Sequence, residues 1–309
     1  MTLQEKLRTI QKVTDLTQTK LAERLGVSFA TFNSWWNNKS VPRPKMQVAI
    51  EALYLEATGQ KSVSPAVLAE KKRSIAEKSG HYPSVIRTVL ENPDIRDRFI
   101  LKLTYNSNRI EGSTLTEPDT AAVLFDNVAL PNRSLTEQLE AKNHQTAIQF
   151  LIEYVAGNGR LDEAFVLKLH SILMNGIRPD AGMYRSHGVR ILGVNLPTAN
   201  YLKIGSLMPD VLSDAVNQAN DVVALAATVH SRFEQIHPFS DGNGRVGRLL
   251  MNAMLLQRNQ APAIIRQDRK QFYYAALYRA QTTEDSSRLE DFLCDAILGG
   301  FQILERGDE

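Results

Sequence analysis

The chain lacks most of the features that mark exported, membrane-bound or highly charged proteins. Its single cysteine, Cys294, lies in an apolar stretch typical of helix packing and cannot form an internal disulfide. No run of about 18 apolar residues exists to cross a bilayer, and the N-terminus lacks the basic and apolar regions of a secretory signal. The net charge of +2 is too small to indicate a polyanion partner for the whole chain. These absences predict a cytoplasmic protein without membrane contact, in which nucleic-acid binding requires a local feature.

The remaining pattern is helical. Apolar residues recur at intervals of three and four through most of the chain, as at Leu225, Val229 and Phe233. Turn-forming and polar residues interrupt this period at positions 58–65. A chain of 309 residues with 43% hydrophobic residues is long enough for two domains. We therefore predict a mainly α protein with a small all-α domain at 1–58, a linker or connecting helix at 59–84, and a larger domain at 85–309.

The small domain has the turn chemistry of two short, adjacent helices. Thr17 can cap a helix over residues 18–25, and Gly26 can supply the positive φ at its end. Ser28 can then cap a second helix over residues 29–36. The sequence therefore predicts a helical pair joined by a turn at one glycine.

Residues 4–55 resemble the helix-turn-helix of the lambda-repressor and Cro (XRE) family, in which the second helix enters the major groove of DNA. The resemblance implies base contacts from Phe29, Ala30, Thr31 and Ser34, and phosphate contacts from Gln18, Asn37, Lys39, Arg43 and Lys45. DNA is thus a predicted partner, and such modules commonly bind as dimers, which leaves a homodimer open. The alternative is a helical hairpin that docks a protein, because the reading face is poor in Arg, Lys and Gln.

The most specific string in the chain is His-Pro-Phe-Ser-Asp-Gly-Asn-Gly-Arg-Val-Gly-Arg at 237–248, followed directly by an apolar helical run. A glycine-rich loop that leads into a helix presents free backbone N–H groups and the positive end of the helix dipole, which favour a phosphate. Gly242 and Gly244 allow a close approach of the anion, and Arg245 and Arg248 add cationic donors. The string therefore predicts a phosphate site.

The same loop carries residues suited to chemistry on that phosphate. Asp241 offers a hard oxygen ligand for Mg²⁺, and His237 can accept a proton near neutral pH. The letters Gly-Asn-Gly-Arg also occur at 157–160, but there they follow an apolar helix without a preceding His, Phe or Asp. That second copy is predicted to be a turn between helices.

The string at 237–248 resembles the signature of the Fic family, HPFx(D/E)GNGRxxR, and agrees at every position. The resemblance covers roughly residues 85–300 and implies a helical bundle with a short β-hairpin flap. It also implies a protein adenylyltransferase, which transfers AMP from ATP to a Tyr, Thr or Ser hydroxyl of a target protein or of itself. The implied roles are base for His237, Mg²⁺ ligand for Asp241, α-phosphate contacts for Gly242, Asn243 and Gly244, and β- and γ-phosphate contacts for Arg245 and Arg248.

Two other segments resemble parts of the same family. Residues 189–204 are rich in β-branched residues with Gly and Pro, which predicts a short hairpin. By resemblance this hairpin is the flap on which a target segment docks, with Val189, Ile191 and Leu192 as its contacts. Tyr273 and Tyr274 resemble the residues that border the adenine. Aromatic core packing is the alternative for both tyrosines.

Residues 107–112 are predicted to end an amphipathic helix that begins near residue 94, with Gly112 as its C-cap. The carboxylate of Glu111 in the last turn opposes the helix dipole at a cost of roughly 0.3–1 kcal/mol, so a cationic partner is expected, and Arg248 is the obvious candidate. The fragment resembles the inhibitory motif of the Fic family, (S/T)xxxE(G/N), which begins here at Ser107. The resemblance implies that Glu111 occupies the γ-phosphate position and inhibits the transferase.

Several alternatives stay open on the sequence. The chain could be a DNA-binding transcriptional regulator whose Fic part binds nucleotide or a partner without turnover, although such a binder has no need of the base His237. The nucleotide donor could be UTP or CDP-choline instead of ATP, as in other members of the family. The same glutamate could also serve removal of AMP from a modified target.

Overall fold

A computed structural model describes residues 2–58, 63–126, 128–190, 196–217, 220–283 and 285–305. Throughout these ranges the regular structure is helical, which confirms the mainly α prediction. The α-helices are α1 (Leu3–Thr14), α2 (Gln18–Arg24), α3 (Phe29–Trp36), α4 (Pro44–Thr58), α5 (Pro65–Gly80), α6 (Val85–Glu91), α7 (Pro93–Glu111), α8 (Glu117–Phe125), α9 (Leu135–Ala156), α10 (Glu163–Leu173), α11 (Ile204–Ala215), α12 (Val222–Ile236), α13 (Asn243–Gln257), α14 (Lys270–Thr282) and α15 (Ser287–Glu305), with short 3-10 helices at Tyr201–Lys203 and Gln267–Arg269.

The N-terminal helices α1 to α4 enclose a hydrophobic core of their own, separate from that of the larger domain. The hydroxyl of Thr17 accepts a hydrogen bond from the Lys20 amide at the start of α2. Ser28 caps α3 in the same way, and Gly26 between the two helices has φ of +67°. The predicted caps and turn are therefore confirmed. Leu21 of α2 and Phe32 of α3 are completely buried, so each helix packs its apolar face into this core.

Helix α5 follows the N-terminal helices and packs on α15 of the larger domain. Lys71 contacts Asp295 at 2.6 Å, and Lys72 contacts Glu290 at 2.5 Å. Ile75 is buried in the core of the larger domain. Residues 65–80 of the predicted connecting segment therefore form a helix that packs with that domain.

Helix α13 lies at the centre of the larger domain and contacts α7, α9, α10 and α12. Residues 245–256 are buried, as expected for a helix that other helices surround on all sides. Helix α12 leads into the loop before α13, so the string at 237–248 joins two packed helices. None of the described helices is long and apolar enough to cross a bilayer.

The predicted β-hairpin at 189–204 is not supported. The candidate flap residues Ile191 and Leu192 lie outside the described residues, and the described residues on either side form no strand. The end of the segment is helical instead, because the Asn200 side chain accepts the Leu202 N–H at 3.0 Å and starts a 3-10 turn. Ile204 is buried at the start of α11. The buried residues that follow it recur at the three- and four-residue spacing of a helix, and not at the two-residue spacing of a strand.

Candidate active site

The glycine-rich loop enters α13 as its sequence predicts. Gly242 has φ of +79° at the N-cap position, a conformation that a residue with a Cβ adopts only with strain. The Asn243 side chain closes the loop, since its Oδ1 accepts the Phe239 N–H at 2.8 Å and its Nδ2 donates to the Phe239 carbonyl at 2.9 Å. Among the described residues nothing accepts a hydrogen bond from the backbone amides of residues 243–245. These amides are available to an anion.

Phe239 and His170 anchor the loop to the core. Their rings stack with centroids 3.7 Å apart, and Phe239 is completely buried. The Gly182 N–H donates to Nδ1 of His170 at 2.9 Å, so the proton of a neutral ring lies on Nε2, 3.2 Å from the Asp241 carbonyl. Burial lowers the pKa of His170 to about 4, which keeps the ring neutral at pH 7. His170 is 71 residues from Asp241 in sequence, and no local pattern predicted this contact.

His237 ends α12 in the left-handed conformation, with φ of +53°. Its Nδ1 lies 3.3 Å from the backbone carbonyl of Glu234. Because a carbonyl only accepts, Nδ1 carries the proton of the neutral ring and Nε2 keeps a free lone pair. Burial lowers the pKa of His237 below its usual value, which favours that neutral form. The geometry therefore prepares His237 to take up a proton at Nε2.

Arg185 fixes the backbone around His237 and was not predicted as a site residue. Its guanidinium donates to the carbonyls of His237 and His187 at 2.7 Å and of Ala199 at 2.6 Å. The side chain is buried, and burial lowers its pKa. A buried arginine that bonds only carbonyls leaves no signature in the sequence, because its partners are backbone atoms.

Arg245 is buried and points toward carboxylates. Its Nη1 contacts Glu140 of α9 at 2.7 Å, and its Nη2 lies 3.5 Å from Asp241. Asp241 also accepts the Gly242 N–H at 2.6 Å, yet about half of its side chain, 51%, stays exposed. The pairing with Glu140 was not predicted, because α9 lies 105 residues away along the chain.

Arg248 holds the end of α7, as the sequence predicted. Its Nε donates to the Ser107 hydroxyl at 2.9 Å, and its Nη2 contacts Glu111 at 2.7 Å. Burial acts to lower the pKa of Arg248, but the Glu111 carboxylate together with Tyr273 and Tyr274 raises it above its usual value. A Cβ placed on Gly244 would lie only 2.3 Å from Oε1 of Glu111. The glutamate therefore lies against the N-terminal turn of α13, where an anion is favoured.

The two candidate adenine residues have different environments. Tyr273 is 1% exposed, and its hydroxyl lies 2.6 Å from Nε2 of His230. Its ring packs against Phe292, so Tyr273 has the core role that was the alternative. Tyr274 is half-buried and lines a cleft of about 670 Å³ between α14 and α4. Of these two tyrosines, Tyr274 alone keeps a partly exposed side chain, and its contact with nucleotide stays a prediction.

The loop offers one open carboxylate for a metal ion. Among the described residues no group of three or more His, Cys, Asp or Glu side chains could enclose a metal. Asp241 is half exposed beside the free amides and Arg245, so it fits a Mg²⁺ ion whose other ligands are phosphate oxygens and water.

Residues 160–255 match the Fic/DOC family. Protein adenylyltransferase fic-1 of Caenorhabditis briggsae is 28% identical over 235 residues, which are 74% of this chain and 46% of that protein. Protein adenylyltransferase Fic of Nematostella vectensis is 32% identical over 185 residues, which are 55% of this chain and 40% of that protein. The chain thus spans less than half the length of these curated relatives.

Two solved structures have a similar fold. A Fic family protein from Desulfovibrio desulfuricans G20 superposes with a TM-score of 0.66 at 26% identity, over 80% of this chain and 76% of that one. A fragment of Fic-1 from C. elegans superposes with a TM-score of 0.72 at 18% identity, over 98% of this chain and 97% of that one. Residues 160–255 are therefore similar to the Fic/DOC domain, and protein adenylyltransferases are among the relatives of the chain.

Proposed function

We propose that this chain is a protein adenylyltransferase, which transfers AMP from ATP to a Tyr, Thr or Ser hydroxyl of a target protein or of itself. The proposal rests on one observation: His237, with a free Nε2, directly precedes an anion-binding turn that contains two buried arginines, Arg245 and Arg248. A site that only bound nucleotide would need the anion-binding turn but no base. The adenylyltransferases among the relatives support the same reaction.

In the proposed reaction, Nε2 of His237 accepts the proton of the target hydroxyl, and the hydroxyl oxygen attacks the α-phosphorus of ATP. The new oxygen–phosphorus bond forms while the bond to the bridging oxygen breaks, and pyrophosphate leaves with that electron pair. The free backbone amides of Asn243 and Gly244 stabilise charge on the α-phosphate. Arg245 binds the β-phosphate. Asp241 holds Mg²⁺, which supplies positive charge to the phosphates when bound.

Glu111 inhibits this reaction in the proposal. Its carboxylate takes the guanidinium of Arg248 that the γ-phosphate requires, and it lies against Gly244 in the anion-binding turn. ATP therefore has to displace Glu111 before its phosphates can lie correctly. Replacement of Glu111 by Gly removes the competing carboxylate and frees Arg248.

The test is transfer of label from ATP labelled at the α-phosphate. Purified wild type, Glu111→Gly and the Glu111→Gly/His237→Ala double variant are incubated with Mg²⁺ and with lysate proteins, and label on protein is measured. We expect Glu111→Gly to label at least about tenfold faster than wild type, and loss of His237 to remove at least about 99% of that label.

Label from γ-labelled ATP in a parallel reaction would indicate phosphotransfer and contradict the proposal. If Glu111→Gly binds ATP but transfers no label from ATP, UTP or CTP, the domain binds without turnover. Release of label from a modified target on later addition of wild type would reveal removal of AMP.

We also propose that α1 to α4 form a helix-turn-helix domain that binds duplex DNA through α3. Phe29, Ala30 and Thr31 are exposed on α3, where they can meet base edges, and Ser34 is half-buried on the same helix. Gln18 is half-buried at the start of α2, and its Oε1 accepts a hydrogen bond from Nδ2 of Asn33 at 3.4 Å.

Selection of bound duplexes from a random library tests the DNA proposal. The Lys39→Gln/Arg43→Gln variant should bind the selected duplex less tightly and with a weaker dependence on salt, because fewer counterions are released. A selection without enrichment, in the presence of a folded domain, would favour a protein-docking role. The stoichiometry of the bound complex decides between one and two copies.

A further inference from the structure

The last turn of α7, which carries Glu111, contacts the segment that begins α14. The Lys270 ammonium donates a hydrogen bond to the carbonyl of Ile110. The Gln267 backbone N–H donates to Oδ1 of Asn106 at 2.9 Å, and Asn106 is buried. We name these two contacts the α7–α14 clamp. They join the C-terminal part of the inhibitory helix to the segment at 267–270.

The carbonyl of Ile110 needs a partner from outside its helix, because the last four carbonyls of a helix have none within it. In α7 the carbonyls of Asn108 and Arg109 accept from the Ser113 and Gly112 amides, at 3.0 and 3.2 Å. The Ile110 carbonyl accepts from Lys270. The ammonium thereby completes the C-terminal cap of α7.

Lys270 brings a positive charge as well as a hydrogen bond to the end of α7. A carboxylate at a helix C-terminus is unfavourable, whereas a cation there is favourable. Glu111 directly follows the carbonyl that Lys270 binds, so the ammonium offsets the cost of placing this carboxylate in the last turn. The sequence predicted one cation that compensates Glu111, and the structure provides two, Arg248 and Lys270.

We propose that Lys270 is a positioning residue for Glu111. By capping α7 it keeps the carboxylate on Arg248, and so it lowers the fraction of molecules in which Arg248 is free for ATP. Loss of the ammonium lets the last turn of α7 fray and moves Glu111 off Arg248 more often. This inference rests on the proposed transferase activity and on inhibition by Glu111.

The test compares α-phosphate labelling by full-length wild type, Lys270→Met, Glu111→Gly and the Lys270→Met/Glu111→Gly double variant. We expect Lys270→Met to label about fivefold faster than wild type, because one charge-assisted contact is lost. The double variant should label at the same rate as Glu111→Gly, since no inhibitory carboxylate remains to be released. The same background would reveal a direct effect of Lys270 on nucleotide, since Lys270 lies 5.7 Å from the ring centroid of Tyr274.

Two variants serve as controls, and one repeats the test. Arg269→Met removes the neighbouring cation, which contacts Asp295 and Phe292 instead of α7, and should leave labelling unchanged. Lys270→Arg keeps a cationic donor and should stay inhibited. Asn106→Ala removes the other half of the clamp and should raise labelling by a smaller factor, which keeps the inference testable if Lys270→Met folds poorly.

Hydrogen exchange of the amides at 108–113 supplies a readout independent of activity. These amides should exchange faster in Lys270→Met than in Arg269→Met. The inference is overturned if Lys270→Met labels like wild type while Glu111→Gly is active, or if it raises labelling further in the Glu111→Gly background. If Glu111→Gly itself transfers no label, the proposed function fails, and unchanged exchange at 108–113 would then overturn the clamp separately.

Discussion

The letters Gly-Asn-Gly-Arg occur twice in this chain and form two different structures. At 157–160 they follow α9, with Asn158 in the left-handed conformation and Gly157 as the C-cap. At 242–245 they begin α13, with Gly242 in the left-handed conformation. The first copy therefore stands at the negative end of a helix dipole and the second at the positive end. Position relative to the helix decides which copy attracts a phosphate.

Side-chain packing separates the two copies further. Asn243 bonds both backbone groups of Phe239 and is buried, whereas Asn158 is exposed. Arg245 is buried on Glu140, whereas Arg160 is exposed. The same four residues therefore acquire a role in the catalytic copy through partners that the turn copy lacks.

The largest difference is expected for the arginines. In the Glu111→Gly background, Arg245→Gln should reduce label transfer about 100-fold or more, because the buried cation that we propose to bind the β-phosphate is lost. Arg160→Gln, the matched change in the turn copy, should leave the rate unchanged. Rates come from initial label transfer at saturating ATP. Equal effects of the two changes would contradict the assignment of the phosphate site to α13.

The asparagines should differ in stability. Asn243→Gly removes both hydrogen bonds to Phe239 and leaves buried backbone groups unpaired, so we expect a loss of about 3 kcal/mol in the free energy of unfolding. Asn158→Gly keeps a left-handed residue in an exposed turn and should change it by less than about 0.5 kcal/mol. Urea unfolding followed by circular dichroism measures both. A loss at Asn158 as large as that at Asn243 would be the contrary result.

The smallest effect concerns pH and arises from the histidine that precedes only the catalytic copy. A general base works in its neutral form, so activity is present above the pKa of His237 and is lost as pH falls through it. Because burial lowers that pKa, the rate of Glu111→Gly should fall less than about twofold between pH 7.5 and 6.5. A rate profile at constant ionic strength measures this. A half-maximal rate at or above pH 6.5 would show that burial does not depress the pKa.

Local chemistry made much of the fold predictable. The caps at Thr17 and Ser28, the C-cap at Gly112 and the turn at 157–160 follow from single residues whose preferred conformations the structure adopts. The hairpin was predicted from β-branched composition, but the apolar residues from Ile204 onward pack as a helix. Burial against the core outweighed local strand propensity there.

The string at 237–248 by itself determined the helix start and the free amides, because glycine conformation and helix polarity act over a few residues. It also predicted His237 as the base. The pair of Glu111 with Arg248 was also predicted, through a second motif. Only the tertiary structure brought His170, Glu140 and Lys270 to the site. These contacts join helices far apart in sequence, and long-range packing leaves no periodic or spacing signal in either partner.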